Sequence, residues 1–372
     1  MLSKRISNLN PYVPGEQPKD RIYIKLNANE NPYPPSKEAI VAIKKFVDDN
    51  PMKLALYPDP DSFELRKAIA SHLNQTGGCM NDCSKLPFEI TPEMIFCGNG
   101  SDEVLSFVFY TFFDSDKKLI APTHTYSFYP VYCGFYQIPL TTVDLKDDFT
   151  LDTEKMLSLA NEDSSSGMIF ANPNAPTSLA LSVEQIRTLL KDYPEDKVFV
   201  IDEAYTDFSD ESCLSLLNEF KNLVIVRTFS KSMCFAGQRL GYCLANPELI
   251  GAIERAKNSF NHFPVDAMTQ VAAMNSCFDT KYYIEQTKKV VATRNRFCKF
   301  LKENGWFFYP SKTNFVLTKK EGFSGEEIYQ FIKKEGVLVR HFSTPLISEY
   351  VRITIGTDEQ MDELMRIMKM IH

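Results

Sequence analysis

The sequence predicts an α/β protein with a mostly parallel central sheet flanked by helices, joined to a smaller α+β domain. Short apolar runs alternate with amphipathic stretches: EMIFCGN precedes DEVLSFVFYTFF, KLIAP precedes an aromatic stretch ending at Tyr136, and GMIFAN precedes SVEQIRTLLKDY. Strands recurring at that rhythm with helical patterns between them imply a parallel sheet covered on both faces. KVFVIDEAY, NLVIVRTFS and RLGYCLA follow as further strands. From about residue 247 the pattern changes to long helices running through ATRNRFCKFLKENGW, then to short strands around TNFVLTK, GVLVRHF and YVRITIG, and a closing helix from Asp358.

The first 36 residues are polar and punctuated by proline (NPYVPGEQP, NENPYPPS) and read as an arm. The expected organisation is therefore an arm over 1–36 that contributes to the small domain, a large domain over 37–262, and the rest of the small domain over 263–372. A chain of 372 residues, 44% of them hydrophobic, is long enough for more than one compact domain.

Charge and composition narrow the partners. The formal net charge is -7 with no block of lysine or arginine, which argues against nucleic acid and anionic membrane and leaves room for a small anion held by a few placed arginines. No apolar run approaches the ~20 residues of a spanning helix. The start MLSKRISNLN lacks the apolar core of a secretion signal, so a cytoplasmic protein is expected. Nine scattered cysteines fit reduced thiols better than a disulfide framework. Cys79 and Cys83 have no second ligand pair, and the five histidines show no metal-binding spacing, so no metal is expected. The stretch TGGCMNDCSKLPFEI, residues 76 to 90, reads as a surface loop.

In open sheets of this kind ligands gather beyond the carboxyl ends of the strands, and four features fall there. GNGSDE follows one strand and opens a helix, so Ser101 and Asp102 sit where free backbone N–H groups bind phosphate; an ordinary glycine turn with a serine cap fits the same residues. ANPNAPTS follows GMIF and exposes Asn172 and Asn174 at the sheet edge, or is simply turn chemistry. Asp202 ends KVFVI, where a carboxylate is expensive without a cationic partner, with Tyr205 three residues on. Lys231 lies just past NLVIVRT, as either a solvated surface lysine or a nucleophile in a partly desolvated site. Together these residue types match the needs of pyridoxal 5'-phosphate: an amine for the aldehyde, a carboxylate for the ring nitrogen, donors for the phenolate oxygen and an anion cradle for the phosphate.

The order GNGSDE, TYSFYPVY, NPNAPT, DEAY, TFSKS, FAGQRLGY and VRITIGT resembles the fold type I pyridoxal-phosphate-dependent aminotransferases, and within them the histidinol-phosphate aminotransferase family, over nearly the whole chain from LNANENPYP onward. The resemblance implies that Lys231 forms the Schiff base and moves the proton, that Asp202 keeps the pyridine nitrogen protonated, and that Tyr205 and Asn172 bond the phenolate oxygen. It further implies that Tyr126 stacks on the ring, and that Ser101, Asp102, Ser230 and Arg239 hold the phosphate. Arg352 resembles the arginine that grips the substrate α-carboxylate, and Arg340 the one used on a substrate phosphate; Asn172 also faces the substrate. Tyr57 in YPDPDS matches a tyrosine that crosses to the neighbouring subunit's site, which implies a homodimer.

The implied reaction is ping-pong transfer of an amino group between a small-molecule donor and a keto acceptor, with histidinol phosphate as the substrate of this family. Threonine-phosphate decarboxylation and aromatic or broad-specificity amino transfer are the alternatives. A cofactor-binding sensor attached to DNA would need a DNA-binding module, which the first 36 residues are too few and too proline-rich to supply. Ser178 stands where the NPNAPT motif is often followed by glycine, which puts the local loop shape in question.

Overall fold

A computed structural model describes residues 2–7 and 9–371. Among the described residues thirteen strands lie in three sheets, numbered along the chain: β1 (Ile24–Lys25), β2 (Ile95–Asn99), β3 (Lys118–Pro122), β4 (Leu140–Val143), β5 (Ser165–Ala171), β6 (Val198–Asp202), β7 (Leu223–Thr228), β8 (Leu240–Ala245), β9 (Trp306–Phe308), β10 (Phe315–Lys320), β11 (Val337–Leu338), β12 (Arg340–His341) and β13 (Val351–Thr354). The central sheet has the order β2-β8-β7-β6-β5-β3-β4. Its pairs from β7 through β4 are parallel, while β8 runs antiparallel to both of its neighbours.

Side chains alternate across this sheet. Phe199, Ile201, Met168, Phe170 and Ile225 pack into one apolar cluster, whereas Val200, Ile169, Val224 and Val226 pack into another on the opposite face. A strand covered on both sides has no polar face, which is why these runs are continuously apolar in the sequence. Helices between strands start on local caps; Ser182 and Gln185, for example, form a reciprocal capping box at the helix Val183–Lys191.

The remaining strands form an antiparallel sheet of order β12-β13-β10-β9 and the parallel pair β1-β11. A third apolar cluster unites them with the helices Thr280–Glu303, Gly325–Lys334 and Asp358–Met368, and it includes Leu26 from the N-terminal segment. Strands β1, β4 and β9 were not expected from the sequence, being short, and β4 lies at a sheet edge with little burial to mark it.

Two local expectations need correction. Residues 76 to 90 are not simply a surface loop: Cys79 and Met80 are buried, and the Gly78 carbonyl accepts a hydrogen bond from buried Arg227. Asn172 and Asn174 are not exposed but buried, at 7% and 3% exposure. Ser178 keeps a left-handed backbone (φ +66°) without glycine, so the loop holds a shape that disfavours a side chain. Six of the nine free cysteines are buried. Among the described residues no helix is long and apolar enough to cross a membrane, and no cluster of metal-ligating side chains occurs.

Because β2 runs parallel to β7, the ends of β2, β5, β6 and β7 open on one side of the sheet. Gly241 of β8 pairs with Gly98 and Thr228 there, and a Cβ added at Gly241 would lie 2.2 Å from the Ser101 backbone nitrogen. Backbone against backbone has no flexible end to give way. Gly241→Ala should therefore lower stability by about 2 kcal/mol or more, read as an earlier urea midpoint at unchanged slope; a wild-type midpoint would contradict this close approach.

Candidate active site

A cavity of about 740 Å³ opens beyond the carboxyl ends of β3, β5, β6 and β7. Lys231, Tyr205, Tyr126, Tyr129 and Ala175 line one part of it, Arg340, Arg352 and Phe342 another, and residues 10–17 of the N-terminal segment contribute to its wall.

Asp202 ends β6, and Lys231 lies just past the end of the adjacent parallel strand β7. The Asp202 carboxylate accepts a hydrogen bond from the Tyr129 hydroxyl at 2.9 Å and one from the Ala204 backbone N–H at 3.1 Å. Burial pushes its carboxyl up to about 6, against the opposing pull of those two donors, with Asp102 and Glu203 adding repulsion. A carboxylate left with so much desolvation and no cationic partner among the described residues suits a ligand that brings a positive N–H.

Among the described residues the Lys231 amine reaches one acceptor, the Ala28 carbonyl, at 3.4 Å, and it lies 5.7 Å from the centroid of the Tyr205 ring. The segment Leu26–Asn31 holds both groups in place. Asn29 donates to the Tyr205 hydroxyl at 2.8 Å and Asn31 donates to the Lys231 carbonyl at 2.9 Å. Asn29 also bonds Thr354 of β13 and accepts from Asn314, so the small sheet is tied directly to Tyr205. Phe315 meets the Tyr205 ring edge-on at 5.1 Å.

Ser101, Asp102, Ser230 and Arg239 come together at the start of the helix Gly100–Phe112, outside the cavity wall proper and linked to it by Tyr126. The Tyr126 hydroxyl donates to one Asp102 oxygen at 2.7 Å, and Arg239 pairs with the other at 2.9 Å. A Cβ at Gly100 would sit 2.6 Å from the Arg239 guanidinium, so the glycine is what lets these groups converge. Hydroxyls, a guanidinium and a helix N-terminus form a donor set for an anion. Taken with the buried Asp202 carboxyl and the Lys231 amine, these residues fit pyridoxal phosphate.

Arg340 and Arg352 are direct cross-strand partners on β12 and β13. Both lie beside the Phe342 ring, at 5.3 and 5.4 Å. Arg352 donates to the Asn27 carbonyl at 3.1 Å, its buried Nε has no partner, and burial lowers its pKa from the ordinary value. Like charges placed opposite each other repel. An anion between them removes that penalty.

The structure does not bring Asn172 to the cavity. Its side chain is committed to the Leu181 backbone, donating to the carbonyl at 3.1 Å and accepting from the N–H at 2.8 Å, and it is Ala175, three residues on, that lines the cavity. Tyr57 is 83% exposed, stacks on Phe263 at 4.6 Å and lies away from this chain's own cavity. Sequence reasoning missed Tyr129, Asn29, Glu16 and Asn27. Tyr129 carried a weak signal, since it follows Tyr126 at helical spacing; the others are tied to Tyr205, Lys333 and Arg352, 176 to 325 positions away, and carried none.

The geometry defines an α/β enzyme site with a lysine, a carboxylate and an anion cradle at the ends of adjoining strands. The family model for class I and II aminotransferases matches residues 21–368, and the chain belongs to that pyridoxal-phosphate-dependent family. It is 46% identical to a histidinol-phosphate aminotransferase of Syntrophus aciditrophicus over 99% of this chain and 97% of the relative, and 42% identical to one of Acinetobacter baylyi over 99% and 96%. Its fold matches that of the histidinol-phosphate aminotransferase of Sinorhizobium meliloti, solved with pyridoxal 5'-phosphate, with a TM-score of 0.82 and 24% identity over 98% of this chain and 95% of the other.

The raised Asp202 carboxyl makes stability depend on pH. Between the unfolded value near 3.8 and the folded value of about 6 the folded chain holds a proton that the unfolded chain has released, so stability falls as pH rises through that window. A shift of this size corresponds to about 3 kcal/mol. Cofactor-free Asp202→Asn should thus gain on the cofactor-free wild type between pH 4 and pH 7 in urea unfolding; parallel pH profiles would contradict the desolvated carboxyl.

Proposed function

We propose that the chain transfers the amino group of L-glutamate to imidazole-acetol phosphate, giving L-histidinol phosphate and 2-oxoglutarate, a step of histidine biosynthesis. The observation that carries the substrate reading is the opposed pair Arg340 and Arg352 in the cavity, which suits a doubly charged phosphate better than two separate monoanions would. The names of the relatives that align over nearly the entire chain point the same way.

When bound, pyridoxal phosphate supplies an aldehyde that carries the amino group and a pyridinium ring that withdraws electrons from the substrate α-carbon. In our reading Asp202 holds the proton on the ring nitrogen, with Tyr129 fixing the carboxylate. Tyr205, steadied by Asn29, hydrogen-bonds the phenolate oxygen, and Tyr126 flanks the ring. Ser101, Ser230, Arg239 and the N–H groups at the start of the helix Gly100–Phe112 hold the cofactor phosphate, while Asp102 orients Arg239. Lys231 would hold the cofactor through its amine and would serve as the base that takes the proton from the substrate α-carbon and returns it. The two half-reactions would use the cavity in turn, with Arg352 taking the α-carboxylate of glutamate and Arg340 its side-chain carboxylate, and both arginines sharing the phosphate of the other substrate. Asn172 has no part in this reading.

Tyr57 belongs, in the same reading, to the site of a second copy. Its exposure, and that of Met52, Leu54, Leu56 and Phe260 at 52–85%, supports a homodimer with shared sites. We further read residues 1–36 as an arm of the small domain, 37–262 as the cofactor domain and 263–372 as the rest of the small domain, in a cytoplasmic enzyme.

The test is amino transfer to 2-oxoglutarate from histidinol phosphate, run beside phenylalanine and threonine phosphate. Histidinol phosphate should show the highest kcat/KM; preference for phenylalanine, or carbon dioxide release from threonine phosphate without an acceptor, would overturn the assignment. Arg340→Ala should cost about 10- to 100-fold in kcat/KM for histidinol phosphate and clearly less for glutamate. An equal loss for both would remove Arg340 from the phosphate.

A further inference from the structure

The N-terminal segment adds to the cavity a set of acceptors that the reaction as described does not use. Glu16 lines the cavity with a buried oxygen, Oε1, that has no partner, while Oε2 pairs with Lys333 at 2.7 Å. Asn27, only 3% exposed, lines it too, and its Oδ1 is likewise unpartnered. The orientation of the Asn27 amide is settled by its other atom: Nδ2 donates to the Glu16 backbone carbonyl at 3.0 Å, and a carbonyl can only accept. Two oxygens that can only accept therefore lie buried without donors. They lie close to the arginine pair, since the Asn27 carbonyl binds Arg352 at 3.1 Å and a Cβ on Gly15 would lie 3.3 Å from Arg340.

Buried acceptors without donors are costly, and a ligand that brings N–H groups recovers that cost. Glutamate offers none beyond its amino group, which would be taken up by the cofactor aldehyde. A ring N–H on a substrate whose phosphate is held by the arginines does. We propose that Glu16 and Asn27 form the subsite that reads the imidazole N–H of the substrate, with Glu16 Oε1 accepting the charge-assisted hydrogen bond and Asn27 Oδ1 supporting it. Lys333 fixes the carboxylate through its other oxygen, Oε2. The subsite rests on the histidinol-phosphate reading, and it separates the two substrates of one cavity: arginines serve the anionic ends of both, while the Glu16 acceptor serves only the one with a ring.

The test uses full-length holoenzyme, wild type beside Glu16→Ala, Glu16→Gln and Lys333→Met, with three ligands. These are histidinol phosphate, glutamate, and 2-aminopropyl phosphate as the ringless counterpart, the last measured as a competitive inhibitor. Glu16→Ala should raise KM for histidinol phosphate roughly 10- to 100-fold with little change in kcat, while KM for glutamate and Ki for 2-aminopropyl phosphate stay within about twofold. Glu16→Gln, which keeps a neutral acceptor, should fall between. A loss shared by all three ligands in both Glu16→Ala and Lys333→Met would make Glu16 a strut for the arm and overturn the inference, as would an unchanged KM for histidinol phosphate. Wild-type enzyme that ignores histidinol phosphate would overturn the proposed function itself, and the subsite with it.

Discussion

A carboxylate at the end of a buried strand is the constraint on which the site depends. Asp202 is held among apolar neighbours with Tyr129 and one backbone N–H as its donors, and burial outweighs both of them. Such a group destabilises the chain that carries it unless a cation arrives. The neighbouring strand ends one residue type away from the required answer: Lys231 does not pair with Asp202, and its amine instead faces the cavity beside Tyr205. Negative and positive groups kept apart at adjoining strand ends suit a flat ring with a basic nitrogen at one end and an aldehyde at the other. The close approach of Gly100 to Arg239 and of Gly241 to Ser101 shapes the donor set proposed for its phosphate.

The same economy of placement appears on the substrate side. Register on β12 and β13 sets Arg340 against Arg352, so the small sheet carries its own charge repulsion into the cavity. Asn29 then joins that sheet to Tyr205 through Thr354 and Asn314. Movement of the small sheet would thus be felt at the proposed cofactor contacts, and the N-terminal segment, which walls the cavity with residues 10–17, moves with whichever part holds Glu16 through Lys333.

Much of the fold was legible because the buried strands are apolar on both faces and end in residues of conspicuous chemistry. Asp202 after KVFVI and Lys231 after NLVIVRT could be placed at the ligand side of the sheet from the run lengths alone. What stayed hidden depends on partners far away in sequence. The spacing of Tyr129 from Tyr126 is a weak signal that does not name Asp202, 73 positions on, as its partner, and nothing in LNANEN announces its bonds to Tyr205 and Lys231. Asn172 misled for the opposite reason: a polar residue at a strand end reads as a ligand, but the loop folds back and uses its amide to hold Leu181, leaving Ala175 at the cavity. Tyr57 is exposed and does not line the cavity of this chain, so its place in the sequence motif was no guide to a contact there.

The central claim is that the amine of Lys231 is the covalent anchor of the cofactor. Borohydride reduction of the purified holoenzyme, followed by proteolysis and peptide mass mapping, tests it most directly. The account predicts a reduced pyridoxyl adduct on the peptide containing Lys231 and none on the same peptide from Lys231→Ala. An adduct on a different lysine, or holoenzyme that carries none, would contradict it.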